Sequence, residues 1–171
     1  LIDAGYFTEP NIEELYHTGI EFLTRLPERN RSLYKTILAQ GKDQLIQRKN
    51  LVRYNGRAVY ILRLPCFIGK EKHEAYAYLG YDVDRASDES HKAVKKLADR
   101  KLSDEHFQKI LDSAGLFVIV SSLPFSSDEI LPVYYLRQTI EQYFDISKGS
   151  AKLTPLRIHS EQALYGHLVL S

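Results

Sequence analysis

The spacing of apolar positions changes several times along the chain, and each change predicts an element. Leu1-Ile2-Asp3-Ala4 starts apolar and breaks at Gly5, as a strand does when it runs into a loop. Thr8 and Pro10 open a helix, because proline in a first turn gives up no hydrogen bond. Ile12, Leu15 and Tyr16 form its apolar face, and Gly19 ends it. Ile20 to Leu26 predicts a strand stopped by Pro27. Strand, helix and strand in that order imply a parallel, right-handed crossover. Asp3 then sits at the carboxyl end of a strand, where α/β folds build their sites. Taken alone, an aspartate there is first of all a turn-former.

Residues 28–50 are polar and basic, with Arg29, Arg31, Lys35, Lys42, Arg48 and Lys49. Leu33, Ile37 and Leu38 predict a weak helix or a loop anchored on one side. From 51 to 81 the period is two. Leu51 to Tyr54 and Arg57 to Leu64 flank Asn55-Gly56, the strongest short hairpin signal. A second turn at Gly69 to His73 leads into Glu74 to Tyr81. His73, in a polar turn, is expected to be exposed. Ser87 or Ser90 is expected to start a helix with Asp88 and Glu89 in its first turn, where negative charge suits the dipole. Lys92, Lys95, Lys96, Arg100 and Lys101 follow beside a narrow apolar edge of Val94 and Leu97. This is the most basic face in the chain, and a solvated helix is its default reading. Ser103-Asp104-Glu105 opens another helix, with Phe107, Ile110 and Leu111.

Gly115 to Ser122 is a continuous apolar run, expected for a strand covered on both faces. Ser126-x-x-Glu129 is a capping box. Pro132 soon after predicts one short turn, then a fresh helix starting near the proline. That helix, Tyr134 to Lys148, carries two stripes. With Tyr134 at zero, Arg137, Glu141 and Lys148 fall near −60°, −20° and −40°, within roughly 60° of arc. Val133, Leu136, Ile140, Tyr143 and Phe144 centre about 90° away. A carboxylate between cations along about 20 Å suits a metal-dependent site that grips a phosphate backbone. Gly149 stops this helix, Leu153 to Ile158 is extended, and Ser160 opens a last helix.

Composition narrows the picture. The chain has 171 residues, 44% hydrophobic and 26% charged, enough for a globular domain with a real core. Its net charge of +1 excludes a domain-wide basic footprint, so any nucleic-acid surface must be local. Cys66, the sole cysteine, cannot form an internal disulfide, which fits a reducing cytoplasm. No apolar run reaches the 18 or so residues of a membrane span. The absence of methionine and the apolar ends predict a piece of a larger protein.

Tyr134-x2-Arg137-x3-Glu141-x6-Lys148 resembles the Y-R-E-K signature of DDE transposases from one large group of bacterial insertion sequences. Asp3 in IDAGY, with the helix and the strand GIEFLTRL after it, resembles that group's second catalytic aspartate and its surroundings. LRIHSEQALYGHLVL is similar to the helix that follows the signature. The resemblance implies an α/β fold: a partial RNase H-like core of strand, helix, strand and glutamate helix, with a β-rich insertion. Residues 1–27 and 115–171 would be the core and 28–114 the inserted β-rich and helical subdomain. It implies phosphodiester cleavage and strand transfer at transposon ends with two Mg²⁺ ions, Mn²⁺ as a substitute, and Asp3 and Glu141 as ligands. Tyr134, Arg137 and Lys148 would hold DNA phosphates. Arginine suits a bidentate grip and lysine a point charge. The implied partner is DNA, bound by a homodimer at the nucleoid in a bacterial cytoplasm, with no membrane. The family's first aspartate lies on an earlier strand, and Asp82, Asp84 and Asp128 come too late in the chain to replace it. The expectation is a chain that does not cleave DNA alone. A different class of function is a non-catalytic remnant that binds DNA. A nuclease without transposition is disfavoured by the tyrosine–arginine–lysine pattern.

Overall fold

A computed structural model describes residues 4–27 and 31–136. A 3-10 turn at Ala4–Tyr6 leads into α1 (Glu9–His17), β1 (Leu23–Arg25) and α2 (Arg31–Leu45). After a second 3-10 turn at Arg48–Asn50 come β2 (Leu51–Tyr54), β3 (Arg57–Ile68) and β4 (His73–Asp82). Then follow α3 (Val83–Ala98), α4 (Asp104–Ser113) and β5 (Leu116–Ser121). A last helix, α5, covers 130–136. The chain divides into two compact units, Leu1–Tyr134 and Tyr135–Ser171, and the sheet belongs to the first.

The strands form one sheet in the order β1-β5-β4-β3-β2, and every neighbouring pair is antiparallel. The parallel crossover expected around Asp3 needs a strand at residues 1–3, outside the described residues. The hairpin at Asn55-Gly56 forms as expected. Both residues take positive φ, 49° and 76°, and Tyr54 pairs with Arg57, the type I′ arrangement. The next strand is longer than its pattern suggested, running through Pro65 to Ile68. Beyond Tyr60, β3 has only β4 beside it, so the amide that Pro65 lacks faces an open edge.

Alternation along the strands sorts the side chains onto two faces. One face joins Cys66 and Ile68 of β3, Ala77 and Leu79 of β4, and Val118 and Val120 of β5 into the main core. Helices α1 and α2 close it with Ile12, Ile37 and Leu45, all buried. Each such aliphatic side chain contributes roughly 1.5–3 kcal/mol when fully buried. Helix α2 lies so low on the sheet that a Cβ at Gly41 would come within 2.9 Å of Leu64 and 3.1 Å of Leu79. Residues 31–45 are therefore a packed helix, not the weak helix or loop their polarity suggested. On the other face Gly80 leaves room for the Phe117 ring, whose Cζ would lie 2.2 Å from an added Cβ. Tyr78, fully buried, donates its hydroxyl to the Phe125 carbonyl at 2.8 Å, which lays residues 123–125 across this face. Strand β5 is buried at every position, as its unbroken apolar run predicted.

Helix α1 ends as expected. Gly19 takes φ 67°, its amide reaches the Tyr16 carbonyl at 3.1 Å, and the Ile20 amide reaches Leu15 at 2.9 Å, a Schellman motif. Helix α3 corrects the sequence reading. It begins at Val83, and its cap is Asp82, whose Oδ1 accepts from the Arg85 amide at 3.0 Å. Ser87, Asp88, Glu89 and Ser90 lie inside the helix. Strand β4 extends through Asp82, paired with Val59, so the helix has no other place to begin. Its inward side is Ala86 and Ala93, while Val94 is exposed. Ser103 caps α4 as expected, accepting from the His106 amide.

Candidate functional site

The signature helix is entered through the predicted capping box. The Glu129 carboxylate accepts from the Ser126 amide at 2.9 Å and the Ser126 hydroxyl at 2.8 Å. These two bonds hold its carboxyl below the usual range. Residues 127–129 form a turn and α5 starts at 130, which puts Pro132 in its first turn. Ile130 and Leu131 are fully buried and fix where the helix leaves the core. Tyr134 follows one turn later, half-buried. Arg137, Glu141 and Lys148 lie outside the described residues, as does Asp3. Of the residues expected to grip phosphate, Tyr134 is the one among the described residues.

The segment after Asp3 is anchored. Residues Ala4–Tyr6 turn tightly, the Phe7 amide reaches the Ala4 carbonyl at 3.3 Å, and the Phe7 ring is buried. Ala4 also helps line a cleft of about 300 Å³ with Arg25, Leu26, Pro27 and Tyr34. This cleft sits where β1 ends, next in sequence to the predicted ligand. Elsewhere, Lys92, Lys95, Lys96, Arg100 and Lys101 are all exposed along α3 and the turn after it, as their spacing predicted.

Two carboxylates do work that the sequence did not reveal. Glu13, on α1, reaches the turn between β3 and β4. One oxygen accepts from the Lys70 amide and, at 3.1 Å, from the Glu71 amide. The other meets His73 Nε2 at 2.6 Å. The His73 imidazole and the two amides hold the Glu13 carboxyl below its ordinary range. His73 is not the exposed turn residue expected. Its ring stacks on Tyr16 with centroids 4.1 Å apart and planes 7° from parallel. Tyr16 in turn donates to the Glu74 carbonyl at 2.7 Å, and burial pushes its hydroxyl up to about 12. Glu71 Oε2 lies 3.8 Å from His73 Nε2 and 3.5 Å from His17 Nε2. The sequence signal was faint: Glu13 and His17 four apart on one helix, Glu71 and His73 two apart at a turn.

The second carboxylate is Glu89, on α3. It accepts from Arg85 Nε at 2.6 Å and from the Gly115 amide at 2.8 Å. Burial works to raise its pKa, but the Gly115 amide and the Arg85 guanidinium outweigh it, and the net shift is downward. The neighbouring Asp82, buried, also meets Arg57 at 3.3 Å, and its amide reaches the Gly115 carbonyl at 3.0 Å. This corner ties the end of β4, the start of α3 and the start of β5 together.

Among the described residues, the cluster with metal-ligand spacing is Glu13, Glu71 and His73. Its imidazole sets it apart from an all-oxygen site of the kind Mg²⁺ prefers. Cys66 is buried, and burial raises its thiol to about 11, so it offers no thiolate nucleophile. No helix among the described residues is long and apolar enough to cross a membrane.

Comparison with known proteins supplies the family. A family model described as a transposase DDE domain matches residues 1–171. No curated protein and no solved structure matches the chain. The mixed α/β architecture, with its five-stranded sheet and flanking helices, is consistent with an RNase H-like transposase domain. The family implies an enzyme of the nuclease and transposase kind, a class that uses divalent metal and acts on DNA. The chain belongs to the DDE transposase family.

Proposed function

We propose that this domain carries out phosphodiester cleavage and strand transfer at transposon ends, as a member of the Y-R-E-K group of bacterial insertion-sequence transposases. The observation that carries the proposal is the spacing Tyr134-x2-Arg137-x3-Glu141-x6-Lys148 inside a chain that matches the DDE family over its full span. Asp3 and Glu141 supply hard oxygen donors, the chemistry that Mg²⁺ takes, with Mn²⁺ as a substitute. These two carboxylates would hold the metal, whose chemistry there would be to activate the attacking oxygen and stabilise the leaving one. Arg137 grips a phosphate through its planar fork, Lys148 through a point charge, and Tyr134 through its hydroxyl. These grips hold the DNA end so that the scissile phosphate stays in place through the displacement.

The partner is DNA, at the nucleoid of a bacterial cytoplasm, with two copies of the protein holding paired ends. Residues 1–27 and 115–171 form the core in this reading and 28–114 an insertion. Its support is that β1 and β5, from either side of the insertion, pair directly, Leu23 with Ser121 through Arg25 with Ile119. The insertion leaves and re-enters between adjacent strands, and its own strands continue the sheet.

A plasmid carrying the element's ends tests the proposal, incubated with the transposase that contains this domain in Mg²⁺ and in chelator. Mg²⁺-dependent cleavage at the ends, lost in Asp3→Ala and Glu141→Ala, supports it. End-specific DNA binding with no cleavage under any divalent metal would replace it with a non-catalytic DNA-binding remnant.

A further inference from the structure

The corner where α1 meets the β3–β4 turn gathers four side chains of metal-binding type. Glu13 and His17 stand four residues apart on α1, so they share one helix face. Glu71 and His73 stand two apart where the turn becomes β4. His73 Nε2 lies 2.6 Å from Glu13 Oε2 and 3.8 Å from Glu71 Oε2. His17 Nε2 lies 3.5 Å from the same Glu71 oxygen. One donor atom from each of Glu13, Glu71 and His73 lies within 4.8 Å of the others. A tetrahedral Zn²⁺ with bonds of about 2.0–2.1 Å needs donors roughly 3.3 Å apart. The observed separations bracket that figure.

Three further features favour a cation over a simple ion pair. First, the inner ligands are oriented by atoms outside the set. The second oxygen of Glu13 is held by the Lys70 and Glu71 amides, and the His73 ring is held against Tyr16. Such outer contacts are what fix ligand direction in metal sites. Second, the outer pair can move. Glu13 and His73 are 17% and 19% exposed, whereas His17 and Glu71 are each 58% exposed and free to swing inward. Third, the charges balance. Two carboxylates and two neutral imidazoles sum to −2, which a divalent cation cancels, and among the described residues no lysine or arginine pairs with Glu13 or Glu71.

We propose that Glu13, His17, Glu71 and His73 form a structural Zn²⁺ site that clips α1 to the β3–β4 turn. The mixed nitrogen and oxygen donors suit a borderline ion such as Zn²⁺ better than Mg²⁺. Four protein ligands leave no open position for a substrate, so the site is structural. It shares no residue with the acidic site proposed above and stands whether or not that reading holds. Its effect is to join two segments more than 50 residues apart in sequence.

The test uses the untagged 171-residue chain stripped with chelator. Calorimetric titration with ZnCl₂ is expected to show one equivalent bound. Melts at about a hundredfold excess over Kd are expected to rise by about 5–10 °C. MgCl₂ at the same concentration is expected to leave the melt unchanged. Co²⁺ in place of Zn²⁺ is expected to give the visible absorption of a tetrahedral site. His17→Gln and Glu71→Gln alter exposed side chains outside the core, so both variants keep the fold. Each is expected to weaken Zn²⁺ binding at least about tenfold. No Zn²⁺-dependent rise in the melt, or an equal rise in His17→Gln, Glu71→Gln and the parent chain, would overturn the proposal.

Discussion

Glu13 and Glu89 make the same connection in two places. Each stands on a helix and reaches backbone amides of a segment far away in the chain, Lys70 and Glu71 for one and Gly115 for the other. Their second partners differ. Glu89 meets the Arg85 guanidinium, which has no lone pair to offer and cannot lose its charge. Glu13 meets the His73 imidazole, which becomes a ligand when neutral. The first corner is therefore closed by its own cation. The second keeps a nitrogen of His73 and one oxygen each of Glu13 and Glu71 within reach of a metal. The partner beside a carboxylate, more than the carboxylate itself, decides whether a corner is only a tie or also a site.

The largest effect on stability is expected where the closed corner is cut at its buried member. Asp82→Ala removes the cap of α3 and leaves Arg57 without its acceptor, at a cost of about 2–3 kcal/mol. Asp82→Asn keeps the cap and is expected to cost less than half as much; denaturant melts measure both. A smaller effect follows from Glu89→Gln, about 1 kcal/mol at pH 7, since a third of that side chain is exposed. Its sign with pH is fixed by direction. The folded pKa of Glu89 lies below its ordinary 4.5, so its stabilisation is full above that value and is lost as pH falls through the folded pKa. Melts between pH 6 and pH 3 are expected to show the parent losing stability below about pH 4.5 and Glu89→Gln losing less. The smallest change is expected from Glu13→Gln at neutral pH without metal, because Gln keeps an acceptor for the turn amides. The contrast returns when Zn²⁺ is added: the parent is expected to gain stability and Glu13→Gln is not.

Much of this was legible because it is local. Asn55-Gly56 fixes its own turn, Gly19 its own helix end, and Ser126 with Glu129 its own cap. The run from Leu116 to Ser121 announced a strand covered on both faces because nothing polar interrupts it. The failures share a different cause. The start of α3 was misplaced because serines beside acidic residues imitate a cap, whereas the ladder of β3 with β4 decides where the helix can begin. Helix α2 looked weak because its stretch is polar and basic with few apolar positions, but Gly41 lets the helix settle onto Leu62, Leu64 and Leu79. His73 looked exposed because its carboxylate comes from a helix 60 residues earlier, which no short window contains. The proposed site residues Asp3, Tyr134, Arg137, Glu141 and Lys148 were read from their spacing and from a family resemblance. Apart from Tyr134, these lie outside the described residues, so their roles rest on spacing and on family.

That assignment is the central claim, and one measurement reaches it most directly. The transposase that contains this domain, given DNA bearing its own ends and Mg²⁺, is compared with its Glu141→Ala variant for end cleavage and, separately, for end binding. The account predicts cleavage reduced on the order of 10³-fold or more, about 4 kcal/mol of transition-state stabilisation, with binding to the ends retained. Cleavage by Glu141→Ala at the parent rate would contradict it.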